Sequence, residues 1–314
     1  MDKSIVSVPL TREMRSGVSD MVHRGWVVVV DDTGKRLLAL GTGEPKAYIR
    51  SAAKPMQCLP VILSGAANAF GLDDKDIAII CGSHVGGAEQ VAQVRSILSK
   101  AGLTEQDLQS GSGVADECSG KHSGMLVACK HLGYPTANYA APDHPHQQAI
   151  LKVIREVCRI EGLVHIGVDG CSAPIHYLRV ADMALGFARM SVPERHFDDA
   201  TAAAIRRITR AMWLAPKGHT GEPGYAAVLG AEPALLTKAG GGGVYCAGIV
   251  GRGIGFAMKV EHGSPLPLVP VFLRTLEMLG LLPAGREQEI MQQFCPPVKN
   301  RRGQLVGKIE VVAH

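Results

Sequence analysis

The sequence predicts a mixed α/β (α+β) fold, with a central, mainly antiparallel sheet flanked by helices. It forms one unit over 1–314, with room for two closely packed lobes. Three observations carry this. The β-branched run Trp26-Val27-Val28-Val29-Val30 meets a turn at Asp31-Asp32-Thr33-Gly34 and returns as Leu37-Leu38-Ala39-Leu40. A second apolar pair, Val244–Val250 and Ile254–Val260, surrounds Gly251-Arg252-Gly253. Between these pairs lie segments of helical periodicity. With 314 residues, 46% of them hydrophobic, the chain can build a substantial core.

Taken in order, Val27–Val30 is apolar at every position and reads as a central strand covered on both faces. A helix is expected from Ser51. Pro55 and Pro60 are awkward inside it, so Ser51–Lys54 is expected as a single turn, with a broken helix running to about Leu63. Ile77-Ala78-Ile79-Ile80-Cys81 is expected as a second buried strand, ending in Gly82-Ser83-His84-Val85-Gly86-Gly87. Residues 88–101 place Val91, Val94, Ile97 and Leu98 on a helical face, with Gly102 as the stop. Residues 105–125 are polar and rich in Gly and Ser, and a helix follows over 124–132. The Pro-rich linker 134–148 holds His144-Pro145-His146, which reads as solvated rather than as a metal tract. A helix over 147–161 aligns Ile150, Val153, Ile154 and Val157. His165–Val168 reads as a strand entering the loop Asp169-Gly170-Cys171, and Pro174 is expected to open a helix. Another helix covers 198–212, and 216–224 is a loop. Leu235–Lys238 then leads into Gly240-Gly241-Gly242-Gly243. In the strand Ile254–Val260, Lys259 shares a face with Gly255 and Ala257, so it projects past small neighbours. A helix over 267–281, a basic loop around Arg301 and a strand near 304–312 complete the chain.

Composition narrows the function classes. Lys plus Arg is 33 against 29 for Asp plus Glu, a mild excess of +4 spread along the chain. Neither nucleic acid nor an anionic membrane is expected as a partner. Aromatics are only 4%, too few for base-stacking platforms. The first ten residues hold no signal-peptide core, and no apolar run approaches the roughly 20 residues that span a bilayer. A cytoplasmic location is therefore expected, with reduced cysteines. Cys58, Cys81, Cys129, Cys158 and Cys246 sit among apolar neighbours and read as small core residues.

The chemistry-bearing residues fall in a few motifs. In Arg50-Ser51-Ala52-Ala53-Lys54-Pro55, a lysine three residues after a serine can share a helical face with it and take its proton. A lysine pKa near 10.4 must fall by roughly 3 for that, at a cost of about 4 kcal/mol. Burial and a neighbouring cation such as Arg50 can supply the shift. Ser83, flanked by glycines, is a second exposed hydroxyl. Lys238 precedes four glycines whose backbone N–H groups can form an oxyanion hole. No phosphate-binding G-x-x-x-x-G-K-[ST] motif is present, and Gly251-x-Gly253-x-Gly255 lies between strands and opens no helix. Cys118-x-x-Lys121 with Cys171 forms another group: two thiolates could share zinc, with His122 or another group completing the set. A reduced cysteine pair beside an ordinary active-site lysine is the alternative.

Together these motifs resemble the Rhizobium-type (class 3) L-asparaginases of the asparaginase II family. The likeness rests on Arg50-Ser51-x-x-Lys54-Pro55-x-Gln57, Ser83-His84, Cys118-Ser119-Gly120-Lys121-His122, Asp169-Gly170-Cys171 and Thr237-Lys238-x-Gly240, and runs over roughly 8–262. It implies a serine β-lactamase/glutaminase-like fold and hydrolysis of L-asparagine to L-aspartate and ammonia in a homodimer. Ser51 with Lys54, and Ser83 with Lys238, would form two Ser–Lys pairs, with Lys259 as the alternative to Lys238. Arg50 and Asp169 would hold the α-carboxylate and α-amino groups of the substrate, supported by His84, Lys121 and Gly242. Cys118, Lys121 and Cys171 would ligate zinc, which would help hold substrate rather than activate water. Where the family shows Gly-Ala-Glu-Gly after this lysine, this chain has Gly240-Gly241-Gly242-Gly243. Other readings are a glutaminase, a penicillin-recognising acyl-serine enzyme, and a zinc-stabilised binding protein without activity.

Overall fold

A computed structural model describes residues 4–215, 234–282, 289, 292 and 297–312. Two strands open the chain, β1 (Val8–Arg15) and β2 (Val18–Asp31). They are followed by β3 (Arg36–Leu40) and β4 (Lys46–Tyr48). A 3₁₀ turn, Arg50–Ala53, leads directly into α1 (Lys54–Leu63), and α2 (Ala66–Ala69), α3 (Asp74–Cys81) and α4 (Ala88–Lys100) follow. The middle of the chain holds α5 (Ser119–Leu132), α6 (Pro145–Val157), β5 (His165–Val168), β6 (Pro174–Arg179), α7 (Val180–Met190) and α8 (Asp199–Leu214). Then come β7 (Leu235–Gly240), β8 (Val244–Ile249), β9 (Ile254–Val260), α9 (Leu268–Met278), β10 (Val298–Lys299) and β11 (Leu305–Val311). The loop expected at 216–224 lies outside the described residues.

An eight-stranded sheet runs in the order β10-β11-β1-β2-β9-β8-β7, with β3 also paired to β2. Its described pairings are antiparallel. The valine run expected to be covered on both faces is buried on both. Val27 and Val29 pack with Leu10, Phe256, Met258 and Phe272 of α9. Val28 and Val30 join the larger helical core with Met56, Ile79 and Phe187. Removing each such side chain from water contributes roughly 1.5–3 kcal/mol. The strands around Gly251–Gly253 pair as expected, from Ile249↔Ile254 to Val244↔Lys259. A smaller sheet, β4-β6-β5, stands apart from the first.

Two elements differ in kind from expectation, and a third in where it starts. Ile77–Cys81 is helical, not a strand. Asp73 and Asp76 form a reciprocal capping box that starts α3, and its apolar residues are buried all round among other helices. A short apolar run of this kind fits a buried helix as well as a strand. Pro174 opens β6, not a helix: it occupies the first position of the strand, where the missing N–H costs no ladder bond, and the helix begins at Val180. Helix α5 also starts five residues early, at Ser119 rather than 124, so the Cys118–Ser123 motif caps and opens it. Gly120 makes this possible. A Cβ there would sit 2.3 Å from the Ile79 carbonyl oxygen, so the helices touch backbone to backbone.

Candidate active site

The fold gathers most of the motif residues around one cavity of about 380 Å³. The 3₁₀ turn contributes Arg50 and Ser51, and the segment after α3 contributes Ser83. Cys118 comes from the start of α5, Asp169 and Cys171 from the loop after β5, and Lys238, Gly240 and Gly241 from the end of β7 and its turn. Pro265 and Leu268, near the start of α9, close the wall.

Ser51–Ala53 is the single turn the two prolines implied. Pro55 sits in the first turn of α1, where a missing N–H is harmless, and Pro60 lies inside the helix. This arrangement buries Lys54, which is 1% exposed. Its ammonium donates to Ser83 Oγ at 2.9 Å, to the Gly82 carbonyl at 2.5 Å and to the Glu117 carbonyl at 3.3 Å. The hydrogen bond thus joins Lys54 to Ser83, across the Ser51–Lys54 pair that the spacing suggested and the Ser83–Lys238 pair that the resemblance implied. Burial pushes the Lys54 pKa down to about 8, and the Lys238 and Lys121 cations act in the same direction. Cys118 opposes the shift.

Lys238 is buried on β7, lines the cavity, and donates to the Ala239 carbonyl at 3.1 Å. Lys259 is placed differently. Its ammonium sits on backbone carbonyls of the β7–β8 turn and of the turn after β9. Arg50 has φ +51° and forms an ion pair with Asp169 at 2.6 Å. The Arg50 guanidinium is partly exposed while the Asp169 carboxylate is buried.

Behind this wall, Lys121 Nζ lies 3.1 Å from Cys171 Sγ. A hydrogen bond with Cys118, together with His122 and Lys121, pushes the Cys171 thiol well down. The same bond, with burial, pushes the Cys118 thiol up. Burial works against the Lys121 ammonium, yet the two sulfurs lift its pKa above the ordinary value. Burial pushes His122 down, and its Nδ1 is 2.7 Å from the Tyr139 hydroxyl.

Two soft sulfurs and an amine are a donor set that suits zinc. Among the described residues, no group of three or more His, Cys, Asp or Glu side chains could hold a metal ion. Were zinc held here, Lys121 would be the third donor beside Cys118 and Cys171, and would first have to give up the proton it shares with Cys171.

Besides Lys54, which meets Ser83 from within the core, three of the expected residues fall outside the cavity lining. His84 is 2% exposed and turned away: Gly86 N–H donates to its Nδ1 at 3.1 Å, and its Nε2 meets Ser119 Oγ at 2.9 Å. Lys121 lies beneath the surface on Cys171. Gly242 presents its carbonyl to Lys259. Sequence reasoning missed the Gly82 and Glu117 carbonyls that orient Lys54, because backbone groups leave no residue signature. It also missed Asp116 and Glu117 as wall residues.

No match was found among curated protein sequences. Solved structures that the chain matches include the native form of Mglu, at 14% identity, TM-score 0.48, covering 82% of this chain and 65% of that one. Others are a candidate β-lactamase from Bacteroides dorei (12% identity, TM-score 0.44, covering 81% and 92%) and a Bacillus glutaminase (13%, 0.41, 82% and 91%). The chain thus spans 65% of the length of Mglu. A family profile described as L-asparaginase II matches residues 11–311. The chain belongs to the L-asparaginase II family.

Proposed function

We propose that the chain is an amidohydrolase that releases ammonia from the side-chain amide of L-asparagine through an acyl-serine intermediate. The observation that carries this is the 2.9 Å contact between Lys54 Nζ and Ser83 Oγ, with the lysine held near neutrality by burial. A charged lysine spends its three N–H groups on Ser83 and two carbonyls. Once neutral, it keeps two donors for the carbonyls and turns its lone pair to Ser83 Oγ. The serine proton passes to Lys54, and Oγ attacks the amide carbon. The C–N bond then breaks, and the departing nitrogen takes the proton from Lys54 and leaves as ammonia. Water attacks the ester, gives a proton to Lys54, and frees aspartate as Ser83 regains its hydrogen.

The Arg50–Asp169 pair supports an amino-acid substrate. It already sets one cation beside one anion, and a zwitterion can exchange partners with it: carboxylate to Arg50, ammonium to Asp169. When bound by Cys118, Lys121 and Cys171, zinc would supply a fixed positive charge at the wall that holds substrate. We take the working form to be a homodimer.

A second reading keeps the chemistry and moves the nucleophile. Ser51 lines the same cavity at the start of a helical segment, whose backbone amides favour a developing negative charge. Ser83 would then relay its proton to Lys54. The test of the function is ammonia release from asparagine and from glutamine, with and without added zinc, alongside nitrocefin turnover. Release from asparagine above glutamine, with nitrocefin untouched, is expected. Glutamine preference, or nitrocefin turnover alone, would replace the asparaginase reading. Absence of any turnover, with unfolding on chelation, would leave a zinc-stabilised binding protein.

A further inference from the structure

The cavity wall includes a run with no side chains to fix it. Gly240 and Gly241 line the cavity, and Gly242 and Gly243 follow with φ +74° and +75°, a conformation glycine adopts freely. Four consecutive glycines carry the largest backbone entropy a turn can have, so something else must hold them in place.

Lys259 hydrogen-bonds to this turn. Its ammonium donates to the Gly242 carbonyl at 2.7 Å, to the Val260 carbonyl, and to the Glu261 carbonyl at 3.4 Å. An ammonium has three donors and no acceptor, so these three carbonyls use it fully. It has no lone pair to offer a serine while it serves them.

The second turn is itself anchored. The Glu261 amide donates to the Arg24 carbonyl at 2.8 Å, and Ser7 Oγ donates to the Glu261 carboxylate at 2.7 Å. The two turns also meet directly, through Val260 N–H on the Gly243 carbonyl at 2.8 Å. Lys259 therefore carries the rigidity of the anchored turn across to the glycine turn. The glycine turn in turn backs Arg50: a Cβ on Gly241 would lie 3.3 Å from Arg50 Nη2.

We propose that Lys259 is a positioning residue for substrate binding, clamping the glycine turn so that Arg50 is held ready for a carboxylate. This rests on the amidohydrolase reading above. Lys54 and Ser83 lie on α1 and in the segment after α3, and the hydrogen bonds of Lys259 reach neither. Its loss should therefore weaken binding and leave the chemical step alone.

The test is steady-state ammonia release from asparagine by the wild type, Lys259→Met and Lys259→Arg. Lys259→Met keeps the stem and removes the donors. It should raise KM about tenfold with kcat within about twofold. Lys259→Arg keeps a cationic donor and should hold KM within about threefold of wild type. Thermal melts show whether each variant folds, and Lys259→Gln, shorter, uncharged and left with two N–H donors, carries the same test if Lys259→Met does not. A folded Lys259→Met with wild-type KM, a fall in kcat without a change in KM, or equal impairment of Met and Arg would overturn the inference alone. A wild type that hydrolyses neither asparagine nor glutamine would overturn the amidohydrolase reading and this role with it.

Discussion

Activity should follow the proton on Lys54. Burial brings its pKa down to about 8, and only the neutral amine can accept the serine proton. At pH 7 about one lysine in eleven is neutral, at pH 8 about half, and at pH 9 about nine in ten. The rate constant kcat/KM should thus rise about fivefold from pH 7 to 8 and less than about twofold from 8 to 9. An ordinary lysine would give about 200-fold less neutral amine at pH 7, with no plateau below pH 10. Stability should move with the same group. Below pH 8 the folded and unfolded chains both carry the proton, and the cost of burying the ammonium is fully present. Between pH 8 and about 10.5 the folded chain loses the proton first, so stability rises with pH by about 3 kcal/mol from this group. The assay is direct ammonia measurement from pH 6 to 10, with the fold checked by melts at each pH. A flat profile, or one still climbing tenfold per pH unit above pH 9, would refute the assignment of Lys54 as the base.

Other perturbations have outcomes as definite. Arg50→Met removes the cation paired with Asp169 and should raise KM for asparagine at least about tenfold, with kcat little changed; unchanged KM would remove Arg50 from substrate binding. Gly120→Ala places a Cβ 2.3 Å from the Ile79 carbonyl, and should lower stability in urea by about 1–3 kcal/mol as α5 is pushed off α3. If zinc binds at Cys118, Lys121 and Cys171, it must displace protons from Cys118 and Lys121, whose pKa values are raised, so calorimetry in buffers of different ionisation enthalpy should show proton release and an affinity that rises with pH. Binding without proton release would rule Lys121 out as a ligand.

Much of the fold was legible where local pattern and burial agree. Val27–Val30, apolar at every position, lies between two cores, and the glycines at 251 and 253 turn β8 into β9 as their spacing implied. Pattern failed where burial is uniform or where polarity hides a strand. Ile77–Cys81 has no polar face to show a period, and Asp73 with Asp76 was the overlooked start signal. The hairpin of β1 and the first half of β2 carries many exposed polar residues and shifted registers, so it showed no clean alternation.

The site was legible as residues more than as pairings. Ser51, Ser83, Lys238, Arg50 and Asp169 reach one cavity. Spacing of three suggested Ser51 for Lys54, whereas the hydrogen bond goes to Ser83, 29 positions away, because α1 and the end of α3 pack together. Strand parity placed Lys259 beside small neighbours, and that space is used to reach carbonyls. No local pattern reports such long-range contacts; packing sets them.

The central claim is the acyl-serine, and trapping it tests the claim most directly. Asparagine-treated protein, quenched in acid and digested, should carry an aspartyl ester on the peptide holding Ser83, lost in Ser83→Ala. An ester on the Ser51 peptide instead would transfer the attack to Ser51. Turnover with no acylated serine under any quench would contradict covalent catalysis by this site.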